Sequence, residues 1–179
     1  DDVVDVARGE CRVELPAEAR RRVQASRKVV DDAVRHGRVV YGVTTGFGIL
    51  KDKLIPADDT RTLQLNLLRS HCSGVGPATP REVVRAMLLL RAHSLAMGVS
   101  GVRPELIEML AAMLERRVTP VVPVQGSVGA SGDLAPLAHM ASVLVGEGEA
   151  WLGDQRMPAG LALRGAGLQP MVLEAKEGL

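Results

Sequence analysis

The sequence is poor in aromatic residues, with one tryptophan, one tyrosine and one phenylalanine among 179 residues. Platforms that stack successive nucleic-acid bases need several such rings, so that class of function is disfavoured. Charge imbalance is small as well. A formal net charge of +1 gives no electrostatic case for a nucleic acid or an anionic membrane as partner. Cysteine is limited to Cys11 and Cys72, far apart and in no metal-ligand spacing. That pattern points to a reduced, cytoplasmic protein with no metal site. We find no signal-peptide pattern, no apolar run long enough to cross a membrane and no internal repeat. What remains is an ordinary globular composition, 46% hydrophobic and 24% charged, on a chain long enough for one domain with a sizeable core.

Periodicity makes the chain mainly α with small β elements. Ala19, Val23, Ser26, Val30, Ala33 and Val34 recur at helical spacing after Pro16, which suits a first helical residue, and Gly37 ends the helix. His36 in its last turn reads as a surface residue that favours the helix dipole. A second helix starts at Asp58-Asp59-Thr60 and runs to His71. Thr79-Pro80-Arg81-Glu82 reads as a capping box for a third, apolar nearly all round and therefore expected to be buried on most sides, with His93 a core or interface residue. Gly98 stops it. Pro104 opens a fourth, ending near Arg117. Shorter helices are expected over 134–145 and 159–164. Residues 1–9 read as a short strand or turn, and Val13 and Leu15 as its continuation. Residues 38–41 read as a β-like run, 119–124 as an extended strut, and 149–157 as a hairpin around Gly153-Asp154.

The chemistry concentrates in the stretch from Gly126 to His139. At its centre lie three small residues, Ala130-Ser131-Gly132. Gly132 has no Cβ, so its nitrogen can approach a carbonyl closely. Attack of that nitrogen on the Ala130 carbonyl would close a five-membered ring. Loss of two waters, one of them from the Ser131 hydroxyl, would leave an exocyclic methylidene. Asp133 follows as a plausible N-cap, and a helix starting there would favour negative charge in the loop. A second glycine-rich stretch, Tyr41-Gly42-Val43-Thr44-Thr45-Gly46-Phe47-Gly48, holds the only tyrosine and the only phenylalanine. It reads as a mobile loop. It is not a phosphate loop, because no lysine follows the last glycine.

Residues 126–141, GSVGASGDLAPLAHMA, resemble the signature of the aromatic amino acid ammonia-lyases, the family of the histidine and phenylalanine ammonia-lyases. Residues 41–48, YGVTTGFG, are similar to that family's second signature. Residues 66–76 are similar to its substrate-selectivity segment, with Ser70-His71 in the form of the histidine branch. The phenylalanine branch tends to carry Phe-Leu there, and tyrosine-specific enzymes also use a histidine. Residues 173–179 resemble the family too, so the likeness spans the chain.

The resemblance implies the N-terminal part of the fumarase/aspartase-like helical fold, as a single loop-bearing domain over 1–179 truncated before the central bundle is complete. It implies a methylidene-imidazolone made from Ala130, Ser131 and Gly132, with no external cofactor and no metal. Tyr41 would be the base at the substrate β-carbon. His71 and Gly48 would bind substrate, and Asp133, Ser70 and Phe47 would support the site. The implied reaction is non-oxidative deamination of L-histidine to trans-urocanate and ammonia, in a cytoplasmic homotetramer that binds neither nucleic acid nor membrane. A tyrosine or phenylalanine lyase, or an aminomutase, would use the same electrophile. The chain alone would be a catalytically inert folding or assembly module.

Overall fold

A computed structural model describes residues 2–56, 59–129 and 132–178. The fold is mainly α. Its elements run α1 (Asp2–Arg8), α2 (Ala17–Arg35), α3 (Thr60–His71), β1 (Val75–Ala78), α4 (Arg81–Ala96), α5 (Pro104–Glu115), β2 (Val118–Pro120), β3 (Pro123–Gln125), α6 (Leu134–Ser142), β4 (Glu149–Leu152), β5 (Gln155–Pro158) and α7 (Ala159–Gly165). The core lies where α4 and α5 pack together. Leu88 and Val84 of α4 meet Leu110 and Met113 of α5, and Val23, Val118, Val143 and Leu163 close it from neighbouring elements.

The apolar spacing of α5 explains its place. Leu106, Ile107, Leu110, Met113 and Leu114 form one wide stripe behind a proline at the first helical position. α4 differs from expectation. It buries Val84, Leu88, Ala92 and Leu95 on one face, while Val83, Leu90 and Met97 stand exposed and His93 is exposed rather than core. Its apolar residues exceed what one packed face can use.

The β elements are small. β1 pairs antiparallel with β3, and β2-β4-β5 form a second antiparallel sheet whose β4–β5 hairpin turns at Gly153-Asp154 as expected. The strut through Thr119 and Val124 is extended as anticipated, and it divides between the two sheets.

Several local readings are corrected. Residues 2–8 are helix, not strand, and Val13 and Leu15 lie in no strand. The reason for α1 is tertiary. Buried Arg85 donates from Nε to the Ala7 carbonyl at 2.7 Å, from Nη2 to Val6 at 2.9 Å and from Nη1 to Leu114 at 3.0 Å. It thereby gives the Ala7 carbonyl a donor and adds one to the Val6 and Leu114 carbonyls, which also accept the Gly9 and Arg117 amides, at the ends of α1 and α5. Residues 38–40 lie in no strand and Tyr41 begins a turn, so the β-like run expected over 38–41 is absent. Pro16 and Pro80 sit at the N-cap, one residue before the helix proper. The Thr79 side chain makes no cap bond. Its amide is drawn instead to the Val122 carbonyl at 2.8 Å, beside the β1–β3 ladder. α5 stops at Glu115, and the segment after α6 tightens into a 3-10 turn over Val143–Val145 before Gly146. Both cysteines are free thiols.

Candidate active site

The last turn of α3 presents Ser70 and His71. The Ser70 hydroxyl donates to the Leu67 carbonyl at 2.8 Å, and His71 Nδ1 lies 2.8 Å from that same carbonyl and 3.1 Å from Ser70 Oγ. A carbonyl only accepts, so Nδ1 carries the proton and Nε2 of the neutral ring keeps its lone pair. His71 is half-buried and borders a cavity of about 120 Å³ with Leu67, Leu137 and Ala138. The sequence-predicted pair is therefore together, with one imidazole nitrogen engaged and the other available.

Beyond His71 the chain turns through Cys72, Ser73 and Gly74 into β1, where Val75 pairs with Gln125 of β3. This ladder ties the His71 segment to the stem of the Ala-Ser-Gly loop. The two backbones nearly touch. A Cβ on Gly126 would lie 3.2 Å from Gly74 Cα and 3.1 Å from Ala135 Cβ. A Cβ on Gly74 would lie 3.1 Å from the His139 ring and 3.2 Å from the Gln125 carbonyl oxygen. Into this junction α6 places His139, whose Nε2 accepts the Gly74 amide at 3.0 Å. Burial pushes His139 below the ordinary histidine pKa.

From Gly126 the loop runs to α6. Ala130 and Ser131, two of the three residues expected to form the ring, lie outside the described residues. Gly132, the third, has φ +94°, and Gly129 has φ +64°, backbone that side-chain-bearing residues rarely adopt. A Cβ at either would meet nothing within 4 Å, so conformation and not space asks for glycine there. The Gly132 amide donates to the Gly129 carbonyl at 2.9 Å. Asp133 stands at the N-cap of α6 but makes no side-chain cap bond. Its carboxylate instead accepts the Ser127 hydroxyl, a short hydrogen bond that closes the base of the loop. These features fit a ring built from the loop's own backbone: glycines where the turn needs them, a carboxylate at its base and a helix N-terminus behind it.

Tyr41, Phe47 and Gly48 form a separate group. The Tyr41 and Phe47 rings meet edge to face at 5.8 Å and 72°, and the Gly48 amide lies 3.5 Å from Tyr41 Oη. The phenol is 62% exposed. As expected, the loop is not a regular element. It is closed by its own hydrogen bonds: Thr44 Oγ1 accepts the Val40 amide at 2.9 Å, Thr45 Oγ1 accepts the Gly42 amide at 3.2 Å, and the Gly46 amide reaches the Lys53 carbonyl at 3.0 Å. A Cβ on Gly46 would lie 2.7 Å from the Leu50 carbonyl oxygen, so glycine is required for that closure. Val43 anchors the loop among Val30 and Ala175.

The structure thus joins Ser70-His71 to the stem of the loop that carries Gly129 and Gly132, and joins Tyr41 to Phe47 and Gly48. Sequence reasoning quoted Gly74, Gly126, Ser127 and His139 within recognisable stretches but gave them no part in the site. Only their cross-chain contacts reveal one. Among the described residues no three histidine, cysteine or acidic side chains are grouped to hold a metal, and no helix is long and apolar enough to cross a membrane.

Comparison with known proteins gives the family. The aromatic amino acid lyase family model matches residues 1–179, and the chain belongs to that family. Within it, the chain is 55% identical over its whole length to a histidine ammonia-lyase of Gloeobacter violaceus, of which it spans 35%. Among solved structures, it superimposes with a TM-score of 0.94 and 36% identity on the ergothioneine-degrading ergothionase of Treponema denticola, covering 99% of this chain and 35% of that one. Histidine ammonia-lyase from Trypanosoma cruzi gives 0.92 and 37%, covering 100% and 34%. The chain therefore spans about a third of the relatives it matches.

Proposed function

We propose that residues 1–179 are the N-terminal, loop-bearing domain of a histidine ammonia-lyase that converts L-histidine to trans-urocanate and ammonia. The observation that carries this reading is the junction itself: the Ser70-His71 terminus is clamped by β1–β3 and Gly74 against the stem of the Ala130-Ser131-Gly132 loop. The identity to histidine ammonia-lyases supports the choice of substrate.

The proposed methylidene-imidazolone, held by Ala130, Ser131 and Gly132, supplies an electrophile that activates the substrate's otherwise poor leaving group. The rest falls to this chain's side chains. His71, with Nδ1–H committed to Leu67, offers Nε2 to the N–H of the substrate imidazole and so orients it. The Tyr41 phenol removes the β-proton. Asp133 and Ser127 hold the base of the loop, and Gly48 with Phe47 fixes the tyrosine ring. The α6 N-terminus favours electron density developing at the loop. The working enzyme is a cytoplasmic homotetramer that needs no external cofactor.

The test is direct. The full-length protein is incubated with L-histidine, and urocanate absorbance and ammonia release are followed. Phenylalanine and tyrosine are run in parallel, with chromatography for cinnamate, coumarate and β-amino acids. Urocanate formation from histidine at the highest kcat/KM is the expected result. Preferred formation of cinnamate, coumarate or a β-amino acid overturns the substrate assignment.

A further inference from the structure

His139 has no part in the chemistry described above, yet it sits at the crossing of every element that holds the junction. A Cβ on Gly74 would lie as close to the His139 ring as to the Gln125 carbonyl oxygen, so any side chain there would press on both. The Gly74 amide has its partner in Nε2 at 3.0 Å. An amide can only donate, so Nε2 must be unprotonated and the proton of the neutral ring must sit on Nδ1. The residue's own carbonyl accepts the Ser142 hydroxyl at 2.8 Å, which keeps this turn of α6 ordered.

We infer that His139 is a positioning residue: through its Nε2 bond to Gly74 it sets where the His71 end of α3 stands relative to the stem of the ring-forming loop. The inference rests on the lyase reading for its consequence, though the bond itself does not. His71 is three residues before Gly74, and Gly126 touches Gly74 from the other side, so a shift of Gly74 moves the substrate-orienting imidazole against the electrophile. Displacements of about 1 Å between reacting groups cost on the order of 10²-fold in rate.

The bond requires neutral imidazole. The titratable groups on the elements around His139 are His71 and the Cys72 thiol at the end of α3, Asp133 at the start of α6, and the Arg69–Glu147 ion pair that ties α3 to the segment after α6. Burial alone lowers the His139 pKa, and burial is also the largest influence raising that of Cys72. At neutral pH the ring is therefore uncharged and the bond is made.

The experiment compares wild type, His139→Leu and His139→Gln in the full-length protein. Leucine removes the acceptor, whereas the glutamine carboxamide oxygen can accept the Gly74 amide from nearly the same place. His139→Leu is expected to lose roughly tenfold to a hundredfold in kcat/KM for histidine, mostly in kcat, and His139→Gln to recover most of it. Selective 15N-imidazole labelling reads the tautomer independently of activity. The resonance missing from His139→Leu should report an Nδ1-protonated neutral ring that titrates below ordinary histidine. An Nε2-protonated ring, or kcat/KM in His139→Leu within twofold of wild type, overturns the inference. Equal losses in Leu and Gln variants that track their thermal stabilities overturn it too, since that pattern is simple unfolding. A wild-type enzyme inactive on histidine refutes the lyase reading instead, and leaves the tautomer result to judge His139 by itself.

Discussion

The Tyr41 loop and the junction at Gly74 and Gly126 are built from the same materials, glycines and hydroxyl side chains, but are held in different ways. In the loop the hydrogen bonds are local: Thr44 serves Val40, Thr45 serves Gly42, and Gly46 serves Lys53. Apart from buried Val43 and half-buried Phe47, its apolar side chains face solvent, with Ile49 99% exposed. In the junction the bonds cross the chain, Gly74 to His139 and Arg69 to Glu147, and glycine is there because another backbone or ring occupies the space. One region is a self-contained cap on the surface. The other is a fixed seat. Local closure leaves the phenol exposed, whereas cross-chain closure fixes His71 against the loop stem.

The sharpest way to break the comparison is to change the chemistry at each region without changing its scaffold. Ser131→Ala in the full-length protein should reduce turnover to background while circular dichroism and the thermal midpoint stay as in wild type, because a loop serine contributes little stability. Retained turnover would remove the electrophile from the proposal. Tyr41→Phe keeps the ring that meets Phe47 edge to face and removes only Oη. We expect kcat to fall on the order of 10²-fold or more with little change in KM. A change confined to KM would make the exposed loop a binding element.

Stability effects grade from the buried core to the junction's surface. Arg85→Met leaves the Val6, Ala7 and Leu114 carbonyls without their buried donor. Urea unfolding should show a loss of about 2 kcal/mol or more. An unchanged urea midpoint would mean that water replaces the guanidinium freely. The smallest effects belong to surface pairs. Arg69→Ala should barely move the urea midpoint, because the Arg69–Glu147 pair is screened by solvent, and high salt should erase what difference there is.

The pH dependence has a definite sign for two groups of the junction. The hydrogen bond from Arg69 holds Glu147 below the usual glutamate range, so that pair's contribution is present at neutral pH and is lost as pH falls through the lowered value. His139 is a base with a lowered native pKa, so the unfolded chain binds its proton first on acidification. Its contribution is full above the ordinary histidine pKa and is lost as pH falls from there toward the native value. Thermal midpoints of wild type and His139→Leu, measured across that window, should converge toward acid.

Much of the architecture was legible in the residues. Pro104 with its apolar stripe, Gly37 and Gly98 at helix ends, the Gly153-Asp154 turn and the Ser70-His71 helix end all lie where local rules put them. The misses share one cause. Residues 2–8, rich in valine, read as strand until Arg85, nearly eighty residues away, supplies donors for their carbonyls. Thr79 has the spacing of a cap, but its amide is claimed by Val122, and Asp133 is claimed by Ser127. Each polar group had two possible partners, one near in sequence and one near in space, and the sequence shows only the first.

By itself, then, the sequence determined the family, the mainly α class and the position of the Ala130-Ser131-Gly132 triplet, because these follow from side-chain chemistry and short-range spacing. The tertiary structure decided which glycines are structural necessities, which carbonyls Arg85 serves, and that His139 stands between the His71 segment and the loop stem. Those outcomes depend on distances between segments far apart in sequence, 65 residues for Gly74 and His139 and 78 for Arg85 and Ala7, which are set by how the helices pack and by no local preference along the chain.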